Sequence, residues 1–311
     1  MKPGSRAVEI VFWLLPLAAF FLLPGYLVLG SQILIVSLFA MSLDLLLGYA
    51  GIVSLGHAAF FGLGAYTAGL LAAHGWGEPL TGLVAAAASA AIFGFVVSFL
   101  VVRGEDLARL MVTLGVGLLM FEAANRAAFI TGGVDGLSGV TMWKLFGVFP
   151  FDLSGRTAFL YAYAVLLAAF LLLRRVVNSP FGLSLRGVRE NRRRMAAIGS
   201  PVNRRLVAIF TLGAGVAGIA GALLAQTTQF VGLDTLGFER SADLLIMLVL
   251  GGTGRLYGAV VGTLVFMVAQ DYLSGINPVY WQFWLGMLLV LFVFFARGGI
   301  LGAAEALWKR R

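Results

Sequence analysis

Apolar residues run through this chain in long blocks separated by short polar or glycine-bearing breaks. The blocks match the roughly 20 residues that a helix needs to cross a bilayer. Taken in order, spans are predicted over Ile10 to Gly30, Ser31 to Gly48, a third segment through the glycine-crowded GYAGIVSLGHAAFFGLGAYTAGLL, Pro79 to Val102, Leu107 to Thr131, Thr157 to Leu173 and Leu206 to Gln226. Ser241 to Leu273 is too long for one span and short for two, and GGTGRLYGAVVG interrupts it. A broken or re-entrant pair is expected there, before a last span from Tyr280 to Ala296. The predicted fold is all-α, a polytopic membrane protein of about 9–10 segments including discontinuous or re-entrant helices. It reads as one transmembrane domain over 1–311, with an external loop at 132–156.

Composition agrees with the pattern. Apolar residues make up 60% of the chain and mean hydropathy is +0.98, against roughly half apolar in soluble domains. The first block, behind Lys2 and Arg6, imitates a secretory signal. It is longer than the usual apolar core of one and lacks a small-x-small cleavage site, so a retained span with a cytoplasmic N-terminus is expected.

Charge changes the picture at one place. The stretch 174–205 carries nine arginines against the single acid Glu190, so its net +8 equals that of the whole chain. So basic a segment between two spans belongs on the cytoplasmic side. With that orientation 18 of the 22 Lys and Arg fall inside, Lys309, Arg310 and Arg311 among them, and four (Arg126, Lys144, Arg156, Arg240) outside. The charge is confined to one loop and the chain ends, which sets nucleic acid aside. Read as a helix, Leu185 to Gly199 puts Leu185, Val188, Met195 and Ile198 near one stripe, with Arg186, Arg189, Glu190 and Arg193 on its flank. Ser179-Pro180 and Ser200-Pro201 punctuate its ends, since the residue before proline leaves the helical region. One short helix in a loop is expected. It either docks in a groove on a partner or holds topology against anionic lipid headgroups.

Candidate chemistry is sparse. Cysteine is absent and His57 and His74 are the two histidines, so neither a disulfide framework nor an ordinary metal site is assembled. Lys144 follows no phosphate-binding loop, so no nucleotide is held by this chain, and no constellation for catalysis stands out. An ionisable group in hydrocarbon must face a partner or water, which singles out Asp44 for transport or packing. Glu122, Asn125 and Arg126 share a helix face and suit an i, i+4 ion pair. His57 is either a satisfied packed side chain or a contact for substrate. Asp243 and Asp271 lie near segment ends, and Asp243 is near enough to Arg240 to pair with it. Gly213, Gly215, Gly218 and Gly221, at small-residue spacings in the Leu206 to Gln226 span, suit tight helix packing, and glycine-interrupted segments around Gly51 to Gly64 and Gly251 to Gly262 suit discontinuous helices lining a path, or close helix packing. The candidate path residues are thus Asp44, Gly51, Ser54, Gly56, His57, Glu122, Gly251, Gly252 and Gly254.

The segments LDLLLGYAGIVSLGHAAFFGLGAYTAGLL, MVTLGVG, TGGVDGLSGV, NSPFGLSLRGVRENRRRMAAIGSPVNRRLVAIFTLGAGVAGIAGALL and LVLGGTGRLYGAVVGTLV, spread from about Ser31 to Gly302, together resemble the LivM-type permeases of bacterial branched-chain amino acid ABC transporters. The resemblance implies that the basic loop is a coupling segment docking in a cleft of an ATPase subunit. Arg189, Glu190, Ala196, Ala197 and Gly199 fall where the family shows its Arg-Glu and Ala-x-Gly positions, beside Arg186 and Arg193. The run Arg192, Arg193, Arg194 departs from relatives, which often carry acids there. It further implies a LivH-type sister permease, two ATPase subunits that hold ATP and Mg, a periplasmic solute-binding protein, surrounding membrane lipid, and an inner-membrane location with both termini cytoplasmic. Similar permeases handle urea or short amides. A secondary transporter using intramembrane carboxylates and a membrane-embedded enzyme built on His57 are the rival classes.

Overall fold

The computed structural model describes residues 3–152, 154–295 and 298–302, and these form helices, turns and two isolated β-bridges. Lys2, Arg297 and Lys309 to Arg311, counted above as cytoplasmic charges, lie outside the described residues. Helix α1 (Pro3–Leu22) stops before Pro24 instead of running to Gly30, because the proline starts a 3₁₀ turn. Helix α2 (Leu27–Asp44) follows, extended by a π turn over Leu45–Ala50. Its sequence is apolar on every side, the mark of a helix surrounded by others. Accordingly, 94% of its most apolar window is buried, against 11% for the span Leu107–Arg126.

The chain reverses at Gly51 (φ +70°) and enters α3 (Ala58–Ala73) only after an extended stretch. Helix α4 (Pro79–Arg103) starts where the Glu78 carboxylate accepts from the Thr81 amide at 3.1 Å. The fifth predicted span divides at Ala127 into α5 (Asp106–Arg126) and the single turn α6 (Ala128–Thr131). The 132–156 loop is tied to the same end by the Leu137–Val231 bridge and by Trp143 donating to the Gly77 carbonyl at 2.8 Å. Helix α7 (Arg156–Val177) carries Arg174 and Arg175 within its last turn.

The basic stretch forms two helices, not one: α8 (Pro180–Glu190) and α9 (Arg192–Ala197). Asn191 separates them, because its extended backbone (φ −156°, ψ 96°) lets its side chain cap α9 by accepting from the Arg194 amide at 2.9 Å. The break rotates α9 away from the predicted stripe. Leu185 and Val188 are buried, Met195 is half-buried and Ile198 is 71% exposed.

Helix α10 (Val202–Thr228) rises through the bundle, α11 (Phe238–Gly251) descends, and α12 (Leu256–Ile276) returns, ahead of α13 (Trp281–Phe295). The expected broken pair is present as α11 and α12. Helices α3, α4 and α10 meet through small residues, as the glycine spacing predicts. A Cβ on Gly64 would stand 2.2 Å from the Gly218 carbonyl, one on Gly218 2.5 Å from Ala90 Cβ, and one on Gly221 1.9 Å from the Phe61 carbonyl. Gly215, on the same helix, has no heavy atom closer than 3.4 Å to that position.

Gly221→Ala must therefore push α10 off α3, with an expected loss of about 1–3 kcal/mol. Gly215→Ala should be neutral or slightly stabilising through helix propensity. Thermal unfolding of the two variants in detergent checks the contrast, and equal midpoints would refute backbone-to-backbone packing at Gly221.

Candidate functional site

The basic end of the bundle gathers residues that are far apart in sequence. Gly48 lies where α2 comes closest to the turn between α11 and α12. A Cβ there would be 2.1 Å from Asp44 Oδ1 and 2.4 Å from the Gly254 amide nitrogen. The approach lets the fully buried Asp44 accept from the Gly254 amide at 2.7 Å. Gly252 (φ +103°) and Gly254 (φ +79°) give that turn a shape that side chains resist. The π turn frees the Gly48 carbonyl, and Arg189, from α8, donates its Nη1 to it. The Arg189 stem crosses Gly51, and its charge faces the Asp44 carboxylate. Arg186 lies over the Tyr49 ring at 5.3 Å, a cation–π distance. Of the sequence candidates, Asp44, Gly51, Gly254, Arg186 and Arg189 thus meet in one place.

The remaining members of the coupling set, Glu190, Arg193, Ala196, Ala197 and Gly199, are all exposed on the outer side of α8 and α9. The root of α9 is anchored, because Arg192 donates to the Val102 carbonyl of α4 at 3.0 Å and to Asn203 Oδ1 of α10 at 2.9 Å. A cationic elbow results, bolted to the bundle along α8 and open to solvent along α9.

A second layer lies deeper. His57 Nε2 is 2.8 Å from Ser42 Oγ, and Ser42 lies about 12 Å up α2 from Ala50. The His57 ring stacks on Phe39 (5.6 Å, 9°) and meets Phe60 edge-on. Gly56 is pressed on α5, where a Cβ would be 1.8 Å from the Thr113 carbonyl, and Thr113 Oγ1 accepts from the Leu55 amide at 3.2 Å. Ser54 and His57 are fully buried. This layer is a sealed seam, and α3 begins from it part-way through the bundle. Gly251 packs on the Gly258 carbonyl and the Gly262 amide. Glu122 stands apart, half-exposed on α5 and paired with Arg126 Nε at 2.6 Å, the predicted i, i+4 bridge.

Sequence reasoning missed the start of α11. Ser241 Oγ accepts from the Ala58 amide at 2.9 Å, so α11 begins beside the start of α3, at about half the depth of the bundle. The 3₁₀ turn Leu233–Leu236 leads into it, with Leu236 against Gly62. Here Asp234 and Glu239 are exposed, and Arg240 reaches Asp234 Oδ2 at 2.9 Å rather than Asp243. Exposed charge and irregular backbone at this depth are incompatible with lipid and require water or another protein. The legible signal was a pair of glycines, Gly232 and Gly237, around LDTL and directly ahead of Phe-Glu-Arg, within an otherwise apolar half of the chain.

Comparison with known proteins follows the same lines. Residues 26–293 match the family described as branched-chain amino acid transport system / permease component. The chain is 30% identical over 302 residues to the high-affinity branched-chain amino acid transport system permease protein LivM of Escherichia coli, covering 88% of this chain and 69% of that one. It is 25% identical to the probable LivM of Methanocaldococcus jannaschii, over 84% and 89% of the two chains. It is 24% identical to the LivH permease of Escherichia coli, over 86% and 92%. No solved structure matches it. Because the family match runs unbroken from the start of α2 into α13, this chain belongs to the permease component family of branched-chain amino acid transport systems.

Proposed function

We propose that this chain forms half of the membrane passage of an ATP-driven importer for branched-chain amino acids. It stands beside a LivH-type sister permease, under a periplasmic solute-binding protein and on two ATPase subunits, in the inner membrane with the basic end in the cytoplasm. The observation that carries the reading is the elbow: α8 is fastened to the end of α2, with Arg189 beside Gly254 in the turn before α12, while α9 is exposed. A partner that grips Ala196, Ala197 and Gly199 moves α8 with it, and Arg189 passes the motion to Gly48 and the Gly254 turn. Helix α11 connects that turn to the charged flank at half depth. The similarity to both LivM and LivH supports a paired membrane part.

The flank supports a route for a zwitterion. Asp234, Glu239 and Arg240 present both signs of charge at the start of a half-helix, where the amide dipoles favour a carboxylate. ATP acts on the neighbouring subunits, and this chain contributes the differential contacts that let nucleotide state bias an inward-open or outward-open arrangement.

Reconstitution separates this reading from ion-coupled transport. Uptake of branched-chain amino acids into vesicles is expected only when the ATPase subunits and ATP are present, and accumulation driven by a pH gradient without them would sink the proposal. Arg189→Ala should leave the chain inserted, because Arg189 is exposed and water can take its place at the Gly48 carbonyl. It should lower solute imported per ATP hydrolysed by roughly tenfold, the effect of about 1.4 kcal/mol of lost coupling. Unchanged stoichiometry would exclude the elbow as the link. Arg240→Gln should reduce uptake by about tenfold while complex assembly, read by co-purification, stays intact. Normal uptake in that variant would take the flank off the path.

A further inference from the structure

One trench in the molecule lies away from the flank and meets the elbow only at its mouth, through Arg192. It follows the outer surface where α4 and α10 run together and encloses about 1120 Å³. Small residues, Ala87, Ala91 and Gly215, form its floor, and Phe95, Phe99 and Ile219 are among its walls. Polar groups gather at one end: Arg103, the last residue of α4, and Asn203 and Arg204, in the first turn of α10. Arg103 and Arg204 are exposed, and no carboxylate among the described residues pairs with either of them. Glu105, two residues beyond Arg103, is exposed and also forms no ion pair there. Arg192, bonded to Val102 and Asn203, brings a third guanidinium to the same mouth.

The lining runs along α4 from Val84 to Arg103, a rise of about 28 Å that covers most of a hydrocarbon core of about 30 Å. Its half nearer the basic end, from Ala91 to Arg103, is about 18 Å long and matches one leaflet. An apolar channel that ends there in guanidinium groups with no carboxylate partner among the described residues is complementary to an anionic amphiphile. A second permease helix seated there would fill the apolar part and leave those cations without a counter-charge.

We propose that the trench is a binding site for one anionic phospholipid from the leaflet on the basic side. Its acyl chain lies along Ala91, Phe95 and Phe99, and its phosphate is held by Arg103 and Arg204. The headgroup then sits against Arg192, at the root of α9. The site stands on its own geometry, whether or not the elbow couples to an ATPase.

The full chain is reconstituted in vesicles of equal phosphatidylglycerol and phosphatidylcholine, extracted in mild detergent and weighed by native mass spectrometry. One retained phosphatidylglycerol per chain is expected, in excess over phosphatidylcholine. Neutralising one guanidinium should lower retention by about fivefold, and Arg103→Gln with Arg204→Gln together by about 25-fold. Ala88→Phe, which fills the trench and leaves both arginines in place, should also release the lipid and carries the test if the double variant fails to insert. Arg193→Gln makes the same charge change on α9 away from the trench and should retain the lipid. Equal retention of the two lipids, equal loss in Arg193→Gln, or displacement by millimolar glycerol 3-phosphate would overturn the proposal. So would cysteine cross-linking from Ala88→Cys to the sister permease, which would assign the trench to a protein neighbour.

Discussion

Within hydrocarbon no water is available to a backbone N–H or C=O that has left its helix, and each unsatisfied group costs several kcal/mol. This chain leaves helical hydrogen bonding inside the bundle and closes the gaps with side chains from other elements. Asp44 takes the Gly254 amide, Ser241 takes the Ala58 amide and Thr113 takes the Leu55 amide, while at the basic, exposed end Arg189 takes the Gly48 carbonyl. These four contacts fix where α3 and α11 begin and how α2 ends. The glycines at 48, 56 and 254 make them geometrically possible, since a side chain at any of them would hold the backbones apart.

The same contacts join the basic stretch to the centre of the bundle. A charged residue from the basic stretch satisfies a carbonyl in the central helix, so the elbow cannot move without disturbing the end of α2 and the turn it touches. That turn is the lower end of α11, whose upper end carries the charged flank. The seam of His57 and Ser54, by contrast, is sealed among Phe39, Phe60 and α5. Rigid packing around a few polar links is the construction in which a small displacement becomes a discrete change of arrangement, because packed cores deform poorly.

The arginines of the basic stretch satisfy one topology rule and yet differ in chemistry. Arg174 is paired with Glu9 of α1, whose carboxylate also accepts from the Tyr257 hydroxyl at 2.7 Å. Arg186 and Arg189 engage the end of α2, and Arg192 joins α9 to α4 and α10. Arg193 and Arg194 face outward. Counting charge therefore yields an expectation of which side of the membrane the stretch occupies, and only its contacts say which cations hold the bundle together.

Much of the fold was legible in the residues. The length of the apolar blocks gave the spans, the glycine spacing in α10 gave its close packing though not its partners α3 and α4, the GGTG interruption gave the α11–α12 break, and Glu122 with Arg126 gave an i, i+4 pair; all of these are local regularities. The sequence also singled out Asp44, Arg189 and Gly254 separately, from the cost of buried charge, the arginine run and the glycine break. Their convergence, the division of the elbow at Asn191 and the half-depth start of α11 were decided only by the tertiary structure. The partners that close those gaps lie 141 residues apart for Arg189 and Gly48, 210 for Gly254 and Asp44, and 183 for Ala58 and Ser241. Periodicity reports which face of a helix is apolar, but carries no information about which distant side chain will meet an orphaned backbone group once the helices have packed.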